Sequence, residues 1–599
     1  MQYAAGHGPA RAAHHLVPTE HFDALAAGRG DAGAVRFLST TEYSRRLLLL
    51  RALLDGAART PGALGPLPSP DSAWDALTAA QERAPAEFRE LLLHPQVGAW
   101  LAYGLRRLHH TAWGDGPLWT DLGQLFAFCA AASVRAGLPL RTTVPLRDGA
   151  VMFPALGLAR LPGRPRWATA EVAVEAGRLT VEPHREAVGP PGGRPGGDAP
   201  GWLGLRRLRA PVAGRAAEVW LDDLDPYRDL SRTRPPERLA PERAAGWEEG
   251  LGQALRVLEE CDPEAAGALA EGLRSLTAVT GPPGGAVRSI SSDDAFGGLL
   301  LSPPPDPVAF AVALVHEFQH NKLGALIHLL TLERDDGQAR HHAPWRNDPR
   351  PLSGLLQGAY AFLGITEFRS RHLDRVERAG RAAAEFEFAL SRRQTREAVR
   401  TLAADPALTA HGRRFVAGMA ARLDAWEADA RVRPGVDAWA ALAATDHRTE
   451  WRVRHLAPAP ADVRALASSH RTGLAPHAVA AATLAPDPDT PWSHPRTRLI
   501  RRLLAPPRDP AAPPATEPPC PADLALLSGD PAAVPAYTRL LAEDPESPEA
   551  WTGLVLALAT AAPATRPLLH RPELLRALHR ELRATPPDRL ARWLTGAPR

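Results

Sequence analysis

Cysteine is almost absent from this chain of 599 residues. The three cysteines, Cys129, Cys261 and Cys520, are far apart in sequence, so they predict neither a disulfide framework nor a cysteine-based metal cluster. Such usage is typical of a reducing compartment, and we expect a cytoplasmic protein. The N-terminal residues lack a charged segment followed by an apolar core, and no apolar run is long enough to span a bilayer. The sequence therefore predicts neither a signal peptide nor contact with a membrane.

A strong charge of one sign is also lacking. The chain has 70 Lys and Arg against 67 Asp and Glu, a net charge of +3, and no stretch concentrates arginine without interleaved acids. Nucleic acid is therefore not an expected partner. With 45% hydrophobic residues, a chain of this length is expected to form several domains with ordinary cores.

Lysine and asparagine are rarer still. Lys322 is the only lysine, and Asn321 and Asn347 are the only asparagines. All three lie in or near one motif, which runs from His316 to His320. This clustering indicates a local demand for specific side chains around that motif.

The motif, His316-Glu317-Phe318-Gln319-His320, has the HExxH spacing. Histidines four residues apart lie one above the other on a helix, so two imidazoles can bind one divalent metal ion. Asp306-Pro307 supplies an N-cap and a favourable first helical residue, and the apolar run through Val315 predicts a buried helix over about 306–333. A structural zinc site needs four protein ligands, usually including cysteines, and no cysteine is near. The motif therefore predicts a catalytic metal with open coordination positions.

The motif leaves the third metal ligand open. Glu367 is the first candidate, because it lies on a second helix predicted from Leu352 to about Leu373, and an antiparallel helix would bring its carboxylate back to the histidines. The alternative for Glu367 is an i,i+4 ion pair with Arg371 on the same helix. Other candidates lie on that helix or in the loop before it: Gln357, His341 and His342.

The same ligands permit two chemistries. With zinc, Glu317 would act as a general base on a metal-bound water, and a peptide bond would be hydrolysed. With Fe(II), two histidines and a carboxylate leave three coordination positions, which suit a 2-oxo acid and O2. The spacing alone favours the peptidase.

Two segments, His316 to Leu326 and Pro344 to Phe362, closely resemble the HExxH-motif peptide-modification family, and a looser resemblance covers most of residues 15–470. Members of this family accompany actinobacterial clusters for ribosomally made, post-translationally modified peptides, beside or fused to radical-SAM peptide maturases. The family is understood as iron- and 2-oxoglutarate-dependent peptide β-hydroxylases. This chain has no radical-SAM CxxxCxxC motif, so it resembles the free-standing form.

The resemblance implies that His316 and His320 are iron ligands and that Glu317 belongs to the motif. It implies Fe(II) and 2-oxoglutarate as cofactors, β-hydroxylation of a precursor peptide as the reaction, and a radical-SAM maturase as a partner. Two alternatives stay open: a zinc metallopeptidase that acts on a peptide, and a non-catalytic protein that presents a peptide to a radical-SAM maturase.

Binding of 2-oxoglutarate needs a cationic anchor, and the planar guanidinium group suits a carboxylate best. Arg346 and Arg350, in the loop between the two helices, are the candidates. Lys322 follows them, although its position two residues past His320 turns it away from the metal.

The expected fold is mainly α with a β-rich module (α+β). By analogy with zincin-like cores, a sheet edge is expected beside the HExxH helix. We predict five segments: an N-terminal helical region (1–139), a β-rich module (140–238), the HExxH catalytic domain (239–470), a Pro-rich linker (471–521) and a C-terminal helical region resembling a tetratricopeptide-type pair (522–599).

Overall fold

A computed structural model describes residues 15–182, 188–190, 197–229, 232–281, 287–334, 336–426, 431–485, 492–505 and 518–596. The chain divides into two compact units, Met1–Thr331 and Leu332–Arg599. The boundary falls inside residues 239–470, the segment predicted as one catalytic domain, so the HExxH helix belongs to the first unit. Within the described ranges, no helix is both long and apolar enough to cross a membrane.

Ten helices are described in the first unit, and proline occupies the first turn of many of them, where its fixed φ suits the helix. They are α1 (Thr19–Ala26), α2 (Ala32–Arg59), α3 (Pro70–Arg83), α4 (Pro85–Leu92), α5 (Pro95–Leu108), α6 (Leu118–Leu122), α7 (Gln124–Ala136), α8 (Pro241–Cys261), α9 (Pro263–Gly272) and α10 (Pro307–Ile327).

Two sheets accompany these helices. The first is antiparallel, with the order β5-β4-β1-β2-β3-β6. Its strands are β1 (Leu140–Arg147), β2 (Ala150–Phe153), β3 (Gly157–Arg160), β4 (Trp167–Glu175), β5 (Arg178–Val181) and β6 (Trp202–Gly204). Helix α7 packs on this sheet, and fully buried aromatic side chains such as Phe126, Phe153 and Trp202 fill the core between them.

The second sheet is mixed and lies beside the HExxH helix. Its strands are β7 (Arg206–Val212), β8 (Arg215–Leu221), β9 (Ser275–Ala278), β10 (Ser289–Ile290) and β11 (Gly298–Leu301), in the order β10-β11-β9-β8-β7. Strand β9 runs parallel to both β8 and β11. Strands β1 to β8 all fall within residues 140–238, the segment predicted to be β-rich. Of these, β7 and β8 belong to the second sheet, together with β9, β10 and β11, which precede α10.

Helix α10 carries the motif. The Asp306 side chain accepts a hydrogen bond from the Ala309 amide at 2.8 Å and caps the helix, and Pro307 is its first residue. Most of the helix is buried, and it packs against α8, α2 and β11. It ends at Ile327, short of the predicted end near residue 333, with a cap at His328.

The second unit is mainly helical. Its helices are α11 (Leu352–His372), α12 (Arg381–Ala403), α13 (Ala410–Asp424), α14 (Pro434–His455), α15 (Pro460–Arg471), α16 (Pro495–Leu504), α17 (Pro521–Ser528), α18 (Ala533–Glu543), α19 (Pro548–Ala561), α20 (Pro572–Glu581) and α21 (Pro587–Thr595). Two short strands, β12 (Leu456–Ala457) and β13 (Thr483–Leu484), pair with each other.

Of the predicted linker 471–521, residues 486–491 and 506–517 lie outside the described residues, and the rest contains β13 and α16. Buried Trp551 and Leu575 belong to a core shared by the C-terminal helices and α14 and α15. The prediction of a mainly helical chain with a smaller β portion is confirmed.

Candidate metal centre

The two histidines of the motif lie side by side on α10. Their Nε2 atoms are 3.3 Å apart, and their ring centroids are 4.9 Å apart with the planes at 77°. Two imidazole nitrogens bound at tetrahedral angles to one ion at about 2.0–2.1 Å are themselves separated by about 3.3 Å. The pair formed by His316 and His320 therefore has the spacing of two ligands of a single metal ion.

His316 is held in the neutral form that a metal ligand requires. Burial lowers the pKa of this imidazole to about 3, and the neighbouring His320 lowers it further. Both rings keep part of their surface accessible. His316 can therefore offer a nitrogen lone pair to a metal without first losing a proton.

Glu317 is buried, and a serine fixes its carboxylate. Glu317 Oε2 accepts a hydrogen bond from Ser291 Oγ at 2.6 Å, and Glu317 Oε1 lies 3.7 Å from His316 Nε2. Ser291 follows directly after β10, so the second sheet positions this carboxylate. Glu317 thus borders the space in front of one of the two histidines.

Two of the three rare residues, Asn321 and Lys322, anchor the motif helix. Asn321 Nδ2 donates to the Glu317 carbonyl at 3.0 Å, and its Oδ1 accepts from the Gly297 amide at 2.5 Å. Gly297 has φ +83°, a conformation that favours glycine, and it precedes β11. Asn321 therefore ties α10 to the turn that leads into the adjacent strand.

Lys322, the only lysine, is buried. Its Nζ donates to the Arg29 carbonyl at 2.9 Å, and Gln319 Nε2 donates to the Gly28 carbonyl at 2.8 Å. Burial lowers the pKa of the Lys322 ammonium to about 8, against the raising effect of Asp262 and Glu264. The predicted cofactor anchor Lys322 thus binds the loop between α1 and α2.

Asp293 is a carboxylate near the motif that sequence reasoning missed. It lies in a short 3₁₀ turn (Asp293–Ala295) and packs on Gly324, where a Cβ would meet Asp293 Oδ1 at 2.3 Å. Gly324 is one helical turn beyond His320, and His328 is one turn further. Burial raises the pKa of Asp293, whereas His328 and His320 lower it.

The signal for this arrangement was present in the sequence as a repeat of four. His316, His320, Gly324 and His328 follow one another at that interval and so line one face of α10. Glycine leaves the space that the Asp293 side chain fills. At the far end, His328 Nδ1 lies 2.8 Å from Glu42 Oε1 on α2.

Glu367, the predicted third ligand, lies on α11 in the second unit. Arg422 donates to both of its carboxylate oxygens at 2.6 Å, and Arg371 Nε donates to Oε1 at 2.7 Å. The ion pair with Arg371 is the one that the sequence offered as the alternative role. A carboxylate neutralised by two guanidinium groups is less available to a cation.

The predicted 2-oxoglutarate anchors also lie in the second unit and share one carboxylate. Arg346 Nε is 2.8 Å from Asp348 Oδ1, and Arg350 Nη1 is 3.3 Å from Asp348 Oδ2. These two arginines lower the pKa of Asp348. Both guanidinium groups thus have a local carboxylate partner.

The histidines considered as further ligands have carboxylates nearby in the same unit. His341 Nε2 lies 3.6 Å from Asp405 Oδ2, and His342 Nδ1 lies 3.1 Å from Glu397 Oε1. Gln357 lies on α11.

The described residues contain no group of three or more His, Cys, Asp or Glu side chains arranged to hold a metal ion. Among the described residues of the first unit, the donor set therefore fits the two-imidazole half of such a centre, without a third protein ligand beside it.

No family model matches the chain, and a search of curated proteins finds no match.

Proposed function

We propose that this chain is an Fe(II)- and 2-oxoglutarate-dependent hydroxylase that modifies the β-carbon of a residue in a ribosomally made precursor peptide. The main support for a metal site is the 3.3 Å separation between His316 Nε2 and His320 Nε2 on one face of a buried helix. The resemblance of the motif and of the segment Pro344 to Phe362 to the HExxH-motif peptide-modification family supports the choice of chemistry.

His316 and His320 would hold the metal through their Nε2 atoms. For the carboxylate we propose two candidates: Glu367, expected from the sequence, and Asp293, which belongs to the same unit as the histidines and packs one turn beyond His320. Fe(II) with 2-oxoglutarate would supply the oxidation of a C–H bond by O2, with release of succinate and CO2.

The chain's own residues position these groups. The Ser291 hydroxyl holds Glu317 beside His316, and the bonds of Asn321 to Gly297 and to the Glu317 carbonyl fix the turn of α10 that bears both histidines. A buried helix with such anchors limits the rotation of the imidazoles, as a catalytic metal requires. Arg346 and Arg350 are proposed to bind a carboxylate of 2-oxoglutarate.

One observation favours a second function, zinc-dependent peptide hydrolysis. Glu317 Oε1 approaches His316 Nε2 to 3.7 Å, so its carboxylate borders the space where a general base would act on water. In this alternative the ligands stay the same, and Glu317 becomes the essential base.

Mass spectrometry separates these functions. The full chain is reconstituted anaerobically with Fe(II) and 2-oxoglutarate, or separately with Zn(II), and incubated with a precursor peptide co-produced with it. Gain of one oxygen atom that requires iron, 2-oxoglutarate and air supports the hydroxylase, and cleavage that requires zinc supports the peptidase. An unchanged peptide mass under both conditions contradicts both enzymes and supports a peptide-presenting role.

A spectroscopic control makes the result independent of turnover. Co(II) bound to two imidazoles and a carboxylate absorbs in the visible region, and this absorption should be lost in His316→Ala and His320→Ala. His411→Ala, at an exposed position of α13 in the second unit, is the matched control and should keep the spectrum.

A further inference from the structure

A cavity of about 590 Å³ lies between α12 and α14 in the second unit, and none of the candidate metal or cofactor ligands lines it. Arg393, Arg396 and Arg400 line it from α12, at spacings of three and four residues that place them on one helix face. Arg448 lines it from α14. Its volume is that of a small-molecule site.

Small residues on α14 keep this cavity open. Ala441, Ala444 and Thr445 face it in the two turns that precede Arg448. Leucine at such a position would occupy the space, as it does between most packed helices. The cavity therefore combines three arginines on α12 with short side chains and one arginine on α14.

Two of the arginines have buried nitrogen atoms without an acceptor. Arg393 Nε and Arg448 Nε are shielded from solvent, and neither has a hydrogen-bond partner among the residues that the structure describes. Because a buried N–H without an acceptor costs free energy, such donors are normally paired. Both guanidinium groups therefore keep a donor that the described residues do not satisfy.

Carboxylates neutralise only part of the positive charge. Arg393 shares Asp437 with Arg392, and Arg396 pairs with Asp424 at 2.6 Å. These pairs account for three guanidinium groups and two carboxylates. They hold these arginines in place.

The remaining cations are less well matched. Arg448 Nη1 is 3.9 Å from Glu397 Oε1, an oxygen that also lies 3.1 Å from His342 Nδ1. Arg400 is exposed and forms no ion pair with the described part of the chain. Among the described residues that line the cavity, the four arginines Arg393, Arg396, Arg400 and Arg448 thus face one carboxylate, that of Glu397.

We propose that this cavity binds a phosphate group, either as inorganic phosphate or as the phosphate of a larger ligand. Guanidinium groups bind phosphate oxygens through paired N–H bonds. The donors approach from two facing helices, and a tetrahedral anion can accept hydrogen bonds from both sides, whereas a planar carboxylate accepts mainly in one plane. This site goes beyond the proposed metal chemistry and does not depend on it.

Isothermal titration calorimetry on the full, metal-free chain tests the proposal. Inorganic phosphate, pyrophosphate and succinate are titrated at constant ionic strength. The variants are Arg448→Gln, which removes one charge, and Ala441→Leu, which fills the cavity and leaves every charge in place. Arg464→Gln, an exposed arginine on α15 of the same unit, is the control for net charge.

Saturable binding of phosphate or pyrophosphate with about one site per chain is expected, and it should weaken by about tenfold in both cavity variants and stay unchanged in Arg464→Gln. Circular dichroism confirms that each variant is folded. Absence of saturable binding, equal binding by Ala441→Leu, or succinate binding as tightly as phosphate would overturn the proposal. The outcome does not depend on whether the chain hydroxylates a peptide.

Discussion

Replacing Gly324 with alanine tests how closely Asp293 packs against the motif helix. The new Cβ would lie 2.3 Å from Asp293 Oδ1 and 3.0 Å from Asp293 Cγ. An ordinary contact needs about 3.5 Å. The carboxylate must therefore move by roughly 1 Å, away from the face that carries His320.

Two opposing effects set the magnitude. Alanine in a helix interior is favoured over glycine by about 1 kcal/mol. Overpacking a buried contact costs about 1–3 kcal/mol. The overpacking should outweigh the helix preference because the new Cβ would meet three atoms of Asp293, Oδ1, Cγ and Cβ, so the variant should lose about 1 kcal/mol in its free energy of unfolding.

Urea denaturation followed by tryptophan fluorescence measures this change. Gly246→Ala is the matched control, because Gly246 lies inside α8 of the same unit with no atom within 4 Å of the new Cβ. That variant should gain about 0.5–1 kcal/mol. Both changes report on the same unit, so partial unfolding affects them alike.

An Asp293→Ala background reverses the sign. The nearest remaining atom of residue 293 is then its Cβ at 3.3 Å, which a small shift relieves. In that background Gly324→Ala should stabilise, and the double-mutant cycle should give a coupling of about 1–2 kcal/mol. If Gly324→Ala stabilises the unmodified chain as much as Gly246→Ala does, the packing of Asp293 on Gly324 is refuted.

Three further predictions concern side chains with defined partners. Asp293→Asn should weaken Co(II) binding by about tenfold or more. Glu367→Gln should weaken it less, because two guanidinium groups already hold that carboxylate. The reverse ranking in equilibrium dialysis would make Glu367 the ligand. Lys322→Met should destabilise the first unit. The folded chain binds the Lys322 proton more weakly than the unfolded chain, so the free energy of unfolding of the unmodified protein should rise relative to that of the variant between the folded pKa of about 8 and the ordinary value of 10.5. A difference that stays constant across this range in pH-dependent denaturation would contradict the burial of the ammonium. Arg496→Leu should cost the second unit about 3–5 kcal/mol, because it leaves the buried carboxylates of Asp446 on α14 and Asp523 on α17 without their cation. Exposed Arg498→Leu on the same helix should change the free energy of unfolding by less than about 0.5 kcal/mol. Equal losses in thermal denaturation would refute the ion network.

The sequence predicted local features of the HExxH helix well. Asp306 and Pro307 begin it because capping and a fixed φ act within one turn, and those rules need no tertiary information. The end of the helix was predicted too late, since the apolar run past Ile327 continues without regular structure. A helix end without glycine or proline gives no local signal.

The strands, too, could be predicted only in part from the sequence. Residues 151–160 are mostly apolar and could form one strand, but the chain turns between β2 and β3. Ala155 has φ +57° there, and at Gly157 a Cβ would meet the Leu203 carbonyl at 2.4 Å. Alternating hydrophobicity does not reveal such a turn when the turn itself is buried.

The partners of the site residues could not be predicted from the sequence. The bonds of Lys322 to Arg29 and of Asn321 to Gly297 join segments far apart in the chain, and spacing rules apply only within one element. The rarity of these residues indicated that each had a specific role, and the structure gives each a hydrogen-bonding role. The packing of Asp293 on Gly324 is long-range in the same sense.

The central claim is that His316 and His320 bind one metal ion through their Nε2 atoms. The most direct test is the stoichiometry of Co(II) or Fe(II) bound to the purified full chain under anaerobic conditions, measured by elemental analysis after dialysis. About one ion per chain is expected for the unmodified protein, and almost none for His316→Ala/His320→Ala. Equal metal content in the folded double variant would contradict the claim.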